Sequence, residues 1–569
     1  MIFSADEWRG SQPCFLLTVE FAGVVYRFSS FPISISSVDG DLQFEGGLED
    51  FELEESTGFL GVDTQANSLS TSVVFDGLDL LEMWRKGFSL EGVPGELGYV
   101  LVKDGALLHS WEDRIVLIKG MIQAPVFSDP QEPVGFCAFS LEQMPWDSMQ
   151  SDSVLEPLTK ITDLNFPKHD EESAGGKFPP VVIGGGITVI TALPQDINIA
   201  STPAYCIQKH TPAGDHALFL IAAHPVRASS VIVIDPFGNE SASRSVETGV
   251  DALGNVYSYV DLDAETYPFS YPGRTLLTGE QPPGDPQWWV KWPKVDVPAS
   301  GTLSGCYLNP LGEGAMEGGG DICLWAMLQG GYEVDESAWT GLIPILNNYK
   351  FHGYINDPDL KYWDFLTEMI IPNLPIEVKN GPNGIRPILA IMYAPHSAFQ
   401  AYDIRLGSDF FQSGPITVET LTSDIVNQIT MNFALEGPND NHVCALTMGA
   451  GLDTGITAEN SPVCEISQAR YGVQVDNIES DWIYDRYTAF MVARFMARSQ
   501  SLPMISIEFT ADPIYGWIQV GDLLKITGDT VWTGQFFTVS SKVWEGTGWI
   551  FVLLLESNPN LQSRYFSGV

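Results

Sequence analysis

Short strand-like runs broken by glycine and proline constrain this chain more than any other feature of its sequence. The 569 residues include 54 glycines and 37 prolines, spread along the chain without a short repeat period. Residues 15–21 and 24–28 are rich in β-branched and aromatic side chains, and Ala22-Gly23 separates them as a hairpin turn would. The pattern therefore predicts a mainly β (α+β) protein made of many short strands joined by turns.

The length predicts a multidomain protein, because a typical domain has about 150 residues and roughly four would fit. Hydrophobic residues make up 44% of the chain, which is enough for several packed cores. We expect a β-barrel domain in residues 1–160, a β-rich inserted module in 181–310, a mixed α/β domain in 311–470, and a helix with a small β-barrel in 471–569. We leave the role of the inserted module open. Polar residues 167–180 are the predicted linker before it.

Two segments carry the start and stop signals of short helices. Residues 78–84 are followed by Arg85-Lys86-Gly87, and basic residues with a closing glycine are typical of a helix end. Asp357-Pro358 supplies an N-cap and a proline for a first turn, and Pro372 would stop the run. Its apolar residues keep helical spacing: Tyr362, Trp363, Leu366, Met369 and Ile370.

A third helix is predicted over residues 481–498, and we expect it to pack on the final barrel. Its apolar residues fall on one broad side: Ile483, Tyr487, Phe490, Met491 and Phe495. Arg494 and Arg498 project into the same arc, where they can reach its edge or meet acids of the same or a neighbouring chain.

Two further segments have a clear local pattern. Phe51-Glu52-Leu53-Glu54 alternates between apolar and acidic residues, which predicts a strand with its acids on the outer face. Residues 282–298 are rich in proline and tryptophan, and they include Trp288, Trp289 and Trp292. We expect this stretch to close the inserted module as an ordered loop.

The charge balance limits the partners of the chain. Lys+Arg number 28 and Asp+Glu 72, which gives a formal net charge of −44. Such a chain does not bind duplex DNA through its overall field, because phosphate binding needs cations. Two interpretations remain open: an acidic surface that keeps a large protein dispersed, or a conduit that repels nucleic acid.

Targeting signals and cysteines indicate a soluble protein made in a reducing cytoplasm. Residues 1–8 lack the basic and apolar regions of a signal peptide, and the longest apolar run, 549–555, is too short for a membrane helix. The cysteines are scattered and odd in number: Cys14, Cys137, Cys206, Cys306, Cys323, Cys444 and Cys464. They are typical of small buried hydrophobic residues rather than of a disulfide framework.

Two acidic or glycine-rich patterns resemble ligand sites and fail a closer test. In Val181–Gly186 the third glycine of a dinucleotide loop would fall on Val189, so a tight turn between strands is the better interpretation. Asp261, Asp263 and Glu265 alternate like Ca²⁺ ligands, but Thr266 stands where an EF-hand needs glycine. Acids on an exposed strand explain this alternation.

Histidines and isolated acids also lack a catalytic spacing. His442 lies near Cys444 and His210 near His216, yet neither pair forms a metal-binding motif, and a site assembled in space remains open. Asp113 beside Trp111 and Asp364 beside Trp363 are interpreted as solvated acids next to core aromatics. We therefore predict no catalytic, cofactor-binding or metal-binding residues, no cofactor and no enzymatic activity.

Three blocks in a fixed order resemble one protein family. The first contains Tyr26-Arg27-Phe28, Pro32-Ile33, Leu117-Ile118-Lys119-Gly120 and Phe139-Ser140-Leu141-Glu142. The second contains Val334-Asp335, Gly353-Tyr354-Ile355-Asn356-Asp357, Trp363, Leu374-Pro375 and Asn383-Gly384-Ile385-Arg386-Pro387. The third contains Tyr487, Ala493-Arg494, Pro503, Gly521-Asp522-Leu523 and Gly548-Trp549. Together they resemble tailed-phage tail hub proteins, the trimeric baseplate hub family.

The resemblance implies a structural virion protein. In that family, two tube-like β-barrels per subunit form a pseudo-sixfold ring from three chains, which adapts the tail tube to the tail tip. One barrel would lie in residues 1–150, and later segments would supply the second. The implied partners are a tail tube or distal tail protein, a tape-measure protein, and tail-tip or fibre proteins. DNA would pass through an acidic channel without specific binding, and the chain would be located at the virion tail tip.

Two other functions remain open from the sequence alone. A multidomain β protein could bind host surface polysaccharide through Trp288, Trp289 and Trp292. A cell-wall glycoside hydrolase would need a pair of carboxylates, which a chain with 72 acids always offers on paper. A stable trimer favours the hub, glycan binding favours the second function, and release of reducing sugar favours the third.

Overall fold

The protein is known here from a computed structural model, and part of its chain is described. The described residues are 11–21, 23–56, 68–75, 86–87, 90–127, 135–142, 153–155, 158–171, 174–184, 201–208, 216–226, 230–234, 241–262, 288–291, 316–381, 383–389, 401–405, 417–421, 425–436, 441–449, 457–459, 462–527, 532–546 and 548–555. The helix predicted over 78–84 lies outside them.

Strands dominate the first half of the chain. The N-terminal strands are β1 (Gln12–Phe21), β2 (Val24–Ser29), β3 (Ile33–Ser37), β4 (Gly40–Gly46), β5 (Leu48–Ser56), β6 (Ser68–Phe75), β7 (Pro94–Lys103), β8 (Ala106–Leu107), β9 (Ile115–Phe127) and β10 (Gly135–Glu142). The next strands are β11 (Val181–Ile183), β12 (Ser201–Gln208), β13 (Ala217–Ala222), β14 (Ser230–Ile234), β15 (Arg244–Val250), β16 (Val256–Leu262) and β17 (Trp288–Lys291).

Short helices occur only among later residues of the described chain. The middle elements are α1 (Gly319–Gln329), α2 (Glu336–Leu346), β18 (Gly353–Ile355), α3 (Tyr362–Asp364), β19 (Ile376–Gly381), β20 (Gly384–Leu389), β21 (Ala401–Arg405) and β22 (Thr417–Leu421). The last elements are β23 (Gln428–Glu436), β24 (Asn441–Met448), β25 (Thr457–Glu459), α4 (Pro462–Tyr471), β26 (Val475–Ser480), α5 (Arg486–Gln500), β27 (Met504–Ala511), β28 (Leu523–Thr527), β29 (Phe536–Trp544) and β30 (Trp549–Leu555).

The chain forms two compact units, each assembled from separate segments. Unit 1 contains Met1–Gln150, Ile376–Asp424 and Pro503–Val569. Unit 2 contains Ser151–Pro375 and Ile425–Leu502. The predicted fold class, mainly β and multidomain with short helices, is confirmed. The finer division into four segments stays a prediction.

Unit 1 is built on one sixteen-stranded sheet. Its main path runs β22-β27-β30-β29-β5-β6-β10-β9-β7-β1-β2-β4-β3, with β28 and β21 branching from β29 and β8 from β7. The antiparallel pairing of β5 with β29 sets Glu54 opposite Val543 and joins the two ends of the chain. Strands that the sequence assigned to separate N-terminal and C-terminal barrels therefore belong to one continuous sheet.

A closed barrel lies in unit 2, within the predicted inserted module. Its strand order is β12-β13-β16-β15-β14-β17. Strand β17 completes it, because Val290 pairs with Thr202 on one side and with Val233 on the other. The prediction of a loop is therefore wrong for Trp288–Lys291, since pairing on both sides satisfies the backbone groups of this aromatic and β-branched run. Trp292 lies outside the described residues.

The predicted linker, residues 167–180, packs against the barrel and is ordered. The Asp170 N–H donates to the Cys206 carbonyl oxygen over 2.9 Å, and the Ile161 N–H donates to that of Lys177 over 2.9 Å. Buried apolar side chains form a small core beneath this segment: Ile161, Phe166, Ala174, Tyr205, Ile207 and Leu220. These apolar side chains explain why a segment of polar composition is ordered.

The helix predicted to begin at Asp357-Pro358 begins later. The Asp357 carboxylate accepts a hydrogen bond from the Asp359 N–H over 2.9 Å, which makes a turn, and the helix starts at Tyr362. It continues as a π-helical segment, Phe365–Ile370, and a 3₁₀ turn, Ile371–Asn373. The predicted apolar side is confirmed for Tyr362, Trp363, Leu366 and Ile370, which are buried.

A four-stranded sheet in unit 2, ordered β25-β24-β23-β26, carries the last helix. Helix α5 begins at Arg486 because the Asp485 carboxylate accepts a hydrogen bond from the Thr488 N–H over 2.8 Å. It lies against β23 and β24. The prediction that this helix packs on the final barrel is therefore wrong, because the apolar face of β23 and β24, with buried Met431 and Leu446, covers its apolar side.

Candidate functional site

The residues singled out for chemistry do not converge on one site. Asp261 lies on β16, and its carboxylate meets the His216 ring Nδ1 at 2.9 Å on an exposed surface. The His442 Nε2 lies 3.0 Å from the exposed Asp481 carboxylate, and Cys444 is a half-buried free thiol. Asp263, Glu265 and His210 lie outside the described residues. His216 and His442 each therefore pair with one acid, as surface ion pairs do.

The glycine-rich segment after β11 is a close-packed strand end. Gly184 has a φ of +104°, and a side-chain Cβ there would lie 2.5 Å from the His352 ring. Val182 pairs with Tyr354 in the two-stranded sheet of β11 and β18. Glycine is needed at this position for backbone approach. Residues 185–190 lie outside the described residues.

The described cysteines behave as small apolar residues. Cys14, Cys137, Cys206, Cys323 and Cys464 are buried, Cys444 is half-buried, and all six are free thiols. Burial raises the pKa of Cys137 to about 12, so its reactive thiolate form is suppressed. The predicted role as buried hydrophobic residues is confirmed for the five that are buried.

A buried charge cluster is the most unusual chemical feature of unit 1. It joins Glu55 of β5, Lys379 of β19 and Lys542 of β29, which come from the three segments of the unit. The Lys379 Nζ lies 3.6 Å from the Glu55 carboxylate, and each side chain is 7% exposed. At that distance the contact is an ion pair rather than a hydrogen bond.

Two further contacts position Lys542, in addition to its charge interaction with Glu55. Its Nζ donates a hydrogen bond to the Gly516 carbonyl oxygen over 2.6 Å and lies 4.3 Å from the centre of the Trp549 ring. Arg386 of β20 adds a third cation, and its guanidinium donates to the Val520 carbonyl oxygen over 2.6 Å. Asp522, in the turn after Gly521, is the second carboxylate that interacts with these cations. Five ionisable groups are thus gathered at one place.

The pKa values of the cluster reflect burial opposed by charge pairing. Burial alone raises the pKa of Glu55, but Lys542, Lys379 and Arg386 outweigh it and leave that pKa lowered. Burial lowers the pKa of Lys379 to about 8 against the attraction of Glu55. Burial also lowers the pKa of Lys542 and raises that of Asp522. The ionised Glu55 is therefore stabilised by its cations, whereas both lysines are destabilised as cations.

The arrangement is suited to holding segments together rather than to turnover. Lys379 has the lowered pKa of a nucleophilic lysine, but its side chain and that of Glu55 are almost fully enclosed. Removal of one member would leave an uncompensated buried charge, which is costly. Motif searches in the sequence missed the cluster because its members are far apart along the chain. The alternation of Phe51, Leu53 and Glu55 was the sequence signal that could have identified Glu55 as a buried member.

Metal and membrane sites are absent from the described part of the chain. No three or more His, Cys, Asp or Glu side chains among the described residues are grouped to hold a metal ion. None of the helices in the described ranges is both long and apolar enough to span a bilayer.

Exposed acids line the outer faces of several strands of unit 1. Glu52 and Glu54 point outward on β5, as the alternation predicted, while Phe51 and Leu53 are buried. Further exposed acids on or beside β1, β4 and β5 are Glu20, Asp39, Asp41, Glu45 and Glu49. The sheet of unit 1 therefore presents a largely acidic surface along these strands.

Solved structures similar to this chain include three tail proteins. No protein-family model matches the chain, and no curated protein sequence matches it. The tail protein from Neisseria meningitidis MC58 is 8% identical, with a TM-score of 0.37, and the match covers 95% of this chain and 96% of that one. The 43 kDa tail protein of prophage MuSo2 from Shewanella oneidensis is 8% identical, with a TM-score of 0.35 and coverage of 96% and 99%. The prophage tail protein gp18 from Listeria monocytogenes EGD-e is 7% identical, with a TM-score of 0.33 and coverage of 97% and 96%.

Proposed function

We propose that this chain is a structural protein of a bacteriophage tail, and that it is the homotrimeric hub at the distal end of the tail tube. In this role it adapts the sixfold tube to the tail tip and encloses an acidic channel through which DNA leaves. The observation that carries the proposal is the pairing of β5 with β29, which builds unit 1 from both ends of the chain.

The positions of the sequence blocks support this function. Tyr26-Arg27-Phe28 lies in β2, and Leu117–Gly120 lies in β9. Leu523 of the third block begins β28, and Trp549 begins β30, in the same sheet. The hub resemblance implies one tube module from residues 1–150 and a second from later segments. Unit 1 has two such strand groups. The first contains β1–β10, and the second contains β21, β22 and β27–β30, so three chains would supply six groups.

The charge of the chain also supports a conduit. A net charge of −44 leaves many carboxylates without a cationic partner, and these must lie in water because an unpaired buried carboxylate costs several kcal/mol. Exposed acids such as Glu52 and Glu54 lie on the outward face of the sheet in unit 1. A wall of one sign repels phosphates and favours DNA passage over adhesion.

The proposed role is structural and needs neither catalysis nor a cofactor. The buried charged groups Glu55, Lys379 and Lys542 are enclosed in a joint between segments. Tail tube or distal tail protein, tape-measure protein and tail-tip or fibre proteins are the proposed partners. The proposed location is the virion tail tip, after synthesis in the host cytoplasm.

A mass measurement on the purified full chain tests the proposal. We expect light scattering coupled to size exclusion to give three times the chain mass of 62.4 kDa. Electron microscopy of the trimer should then show a ring whose channel is lined mainly by carboxylates. A stable monomer over the whole accessible concentration range, or a channel lined mainly by lysine and arginine, would overturn the hub assignment.

A further inference from the structure

Helix α5 has an outward stripe that differs in charge from the rest of the chain. Its sequence, Arg486–Gln500, contains arginines and no Asp or Glu, although the chain has 72 acids and 28 bases. Most of its side chains are buried against unit 2. The more accessible stripe contains Arg486, Tyr487, Phe490 and Arg494, which follow helical spacing along one side.

Arg494 is the residue that most strongly indicates that this stripe binds a partner. Its guanidinium lies 5.8 Å from the centre of the Phe490 ring. Within the described ranges, no carboxylate lies at ion-pair distance from it. Cation–π contact with an aromatic neighbour orders the guanidinium and leaves its fork of donors available. A half-buried arginine without an acid therefore faces outward from a chain that is otherwise rich in acids.

Two neighbours on the stripe strengthen the interpretation. Tyr487 is 51% exposed on a helix that is otherwise well buried. Exposed tyrosine beside arginine is the composition of interface hot spots. Phe490 is half-buried on the same side of the helix and lies beside the Arg494 guanidinium.

We infer that this stripe of Tyr487, Phe490 and Arg494 is an interface that docks on a carboxylate-bearing surface of a second copy of the chain. Charge complementarity selects this occupant, because every copy has a formal net charge of −44 and the stripe has cations only. The inference rests on the proposed homotrimer and names the face through which its subunits meet. It also gives Arg494 an intermolecular role in an acidic assembly.

The test compares Arg494→Glu with a matched control, Arg470→Glu. Arg470 is an exposed residue of α4 whose guanidinium lies 5.3 Å from the centre of the Tyr471 ring, so both variants reverse an arginine beside an aromatic residue. Sedimentation velocity over a dilution series gives the trimer dissociation constant. We expect Arg494→Glu to raise it roughly 30-fold or more, which corresponds to the loss of a desolvated charge pair, and Arg470→Glu to leave it unchanged.

Two further variants keep the test decisive if Arg494→Glu folds poorly. Arg494→Lys keeps the charge and should keep the trimer, while Tyr487→Ala removes an exposed ring and should weaken the trimer by about 10-fold or more. Raising the salt concentration should weaken the native trimer. Circular dichroism checks that each variant is folded.

The outcomes separate this inference from the proposed function. A native trimer with equal dissociation constants for the native chain, Arg494→Glu and Tyr487→Ala would overturn the interface and leave the hub proposal standing. A native monomer would overturn the hub proposal itself, and this interface with it. A trimer that dissociates in Arg494→Glu and survives in Arg470→Glu would support both.

Discussion

The two units use opposite chemistry where buried polar groups join parts of the chain that are remote in sequence. In unit 1 the joint is charged: Glu55 is enclosed with Lys379 and Lys542, which come from the other two segments of the unit. In unit 2 the joint is neutral and lies within one segment, Ile425–Leu502. The fully buried Asn427 amide donates to the Ser467 hydroxyl over 3.0 Å and to the Gly472 carbonyl over 2.8 Å, and its oxygen accepts from the Gln474 N–H over 2.8 Å.

The difference determines how each joint responds to change. Burial of an amide whose polar atoms all have hydrogen-bond partners costs little free energy, because each hydrogen bond lost to water is replaced by one within the protein. Buried charges are desolvated at a cost that only their mutual attraction offsets. The charged joint of unit 1 is therefore sensitive to pH and to the loss of one partner, whereas the neutral joint of unit 2 is sensitive only to the loss of hydrogen bonds.

Lys542→Met should have the largest effect. It removes the cation that most strongly lowers the pKa of Glu55 and leaves that carboxylate poorly compensated, so we expect a loss of about 3–5 kcal/mol in the free energy of unfolding. Urea unfolding measures it, and hydrogen exchange should locate the loss in β5 and β29.

A double variant and a control sharpen this prediction. Lys542→Met with Glu55→Gln should lose less than Lys542→Met alone, because the uncompensated carboxylate is gone and Lys379, whose pKa burial lowers to about 8, can give up its proton. Lys525→Met, at a half-buried lysine over the Phe536 ring, should cost under about 1 kcal/mol. A loss under about 1 kcal/mol for Lys542→Met would show that the joint is not held by charge.

Asn427→Ala should have an intermediate effect in unit 2. It leaves the Gln474 N–H and the Gly472 carbonyl without their buried partner, at a cost of about 1–3 kcal/mol. Asn432→Ala, on β23, which begins directly after Asn427, is the control, because its amide bonds to Glu479 in an exposed position. The same urea measurement applies, and equal losses in the two variants would contradict a special role for Asn427.

The pH dependence should separate the two joints, and it should be the smallest effect when compared over about half a pH unit. The pKa of Lys379 is about 8 in the folded protein against an ordinary 10.5, so in that interval the unfolded chain binds more protons than the folded one. Stability of unit 1 therefore rises with pH between these values, by at most about 1.4 kcal/mol per pH unit for this lysine.

Lys379→Met tests the source of that slope. The variant should flatten the rise of unfolding free energy in urea titrations between about pH 8 and 10. Asn427→Ala should keep the slope of the native chain, because the neutral joint has no group that titrates there. A slope unchanged by Lys379→Met would contradict the assignment.

Local elements were predictable because their determinants are neighbours in sequence. The runs 15–21 and 24–28 form β1 and β2, which pair antiparallel with Phe21 opposite Val24, and Gly23 has a φ of +79° in the turn. The alternation of Phe51 and Leu53 with acids fixed the two faces of β5 correctly. Extended by one residue, it would also have placed Glu55 on the buried face.

The joints and sheet partners were not predictable, because they depend on contacts between remote segments. Nothing near Lys379 or Lys542 indicates that each meets Glu55. The run Trp288–Lys291 was predicted as a loop because its proline-rich flanks dominate the local pattern. In the structure, β12 and β14 of the barrel both pair with it. Helix α5 has an apolar side that fits any sheet, so its sequence alone could not choose β23 and β24.

The pairing of β5 with β29 also sets the order in which a ribosome can complete this molecule. Residue 56 leaves the ribosome long before residue 541, its partner, has been made. All segments of unit 2 end at Leu502, so that unit can finish folding while the C-terminal strands are still being synthesised. Until β29 has been made, the early strands of unit 1 leave one edge of β5 unpaired. Nascent chains are therefore prone to edge-to-edge association and are suitable clients for a chaperone.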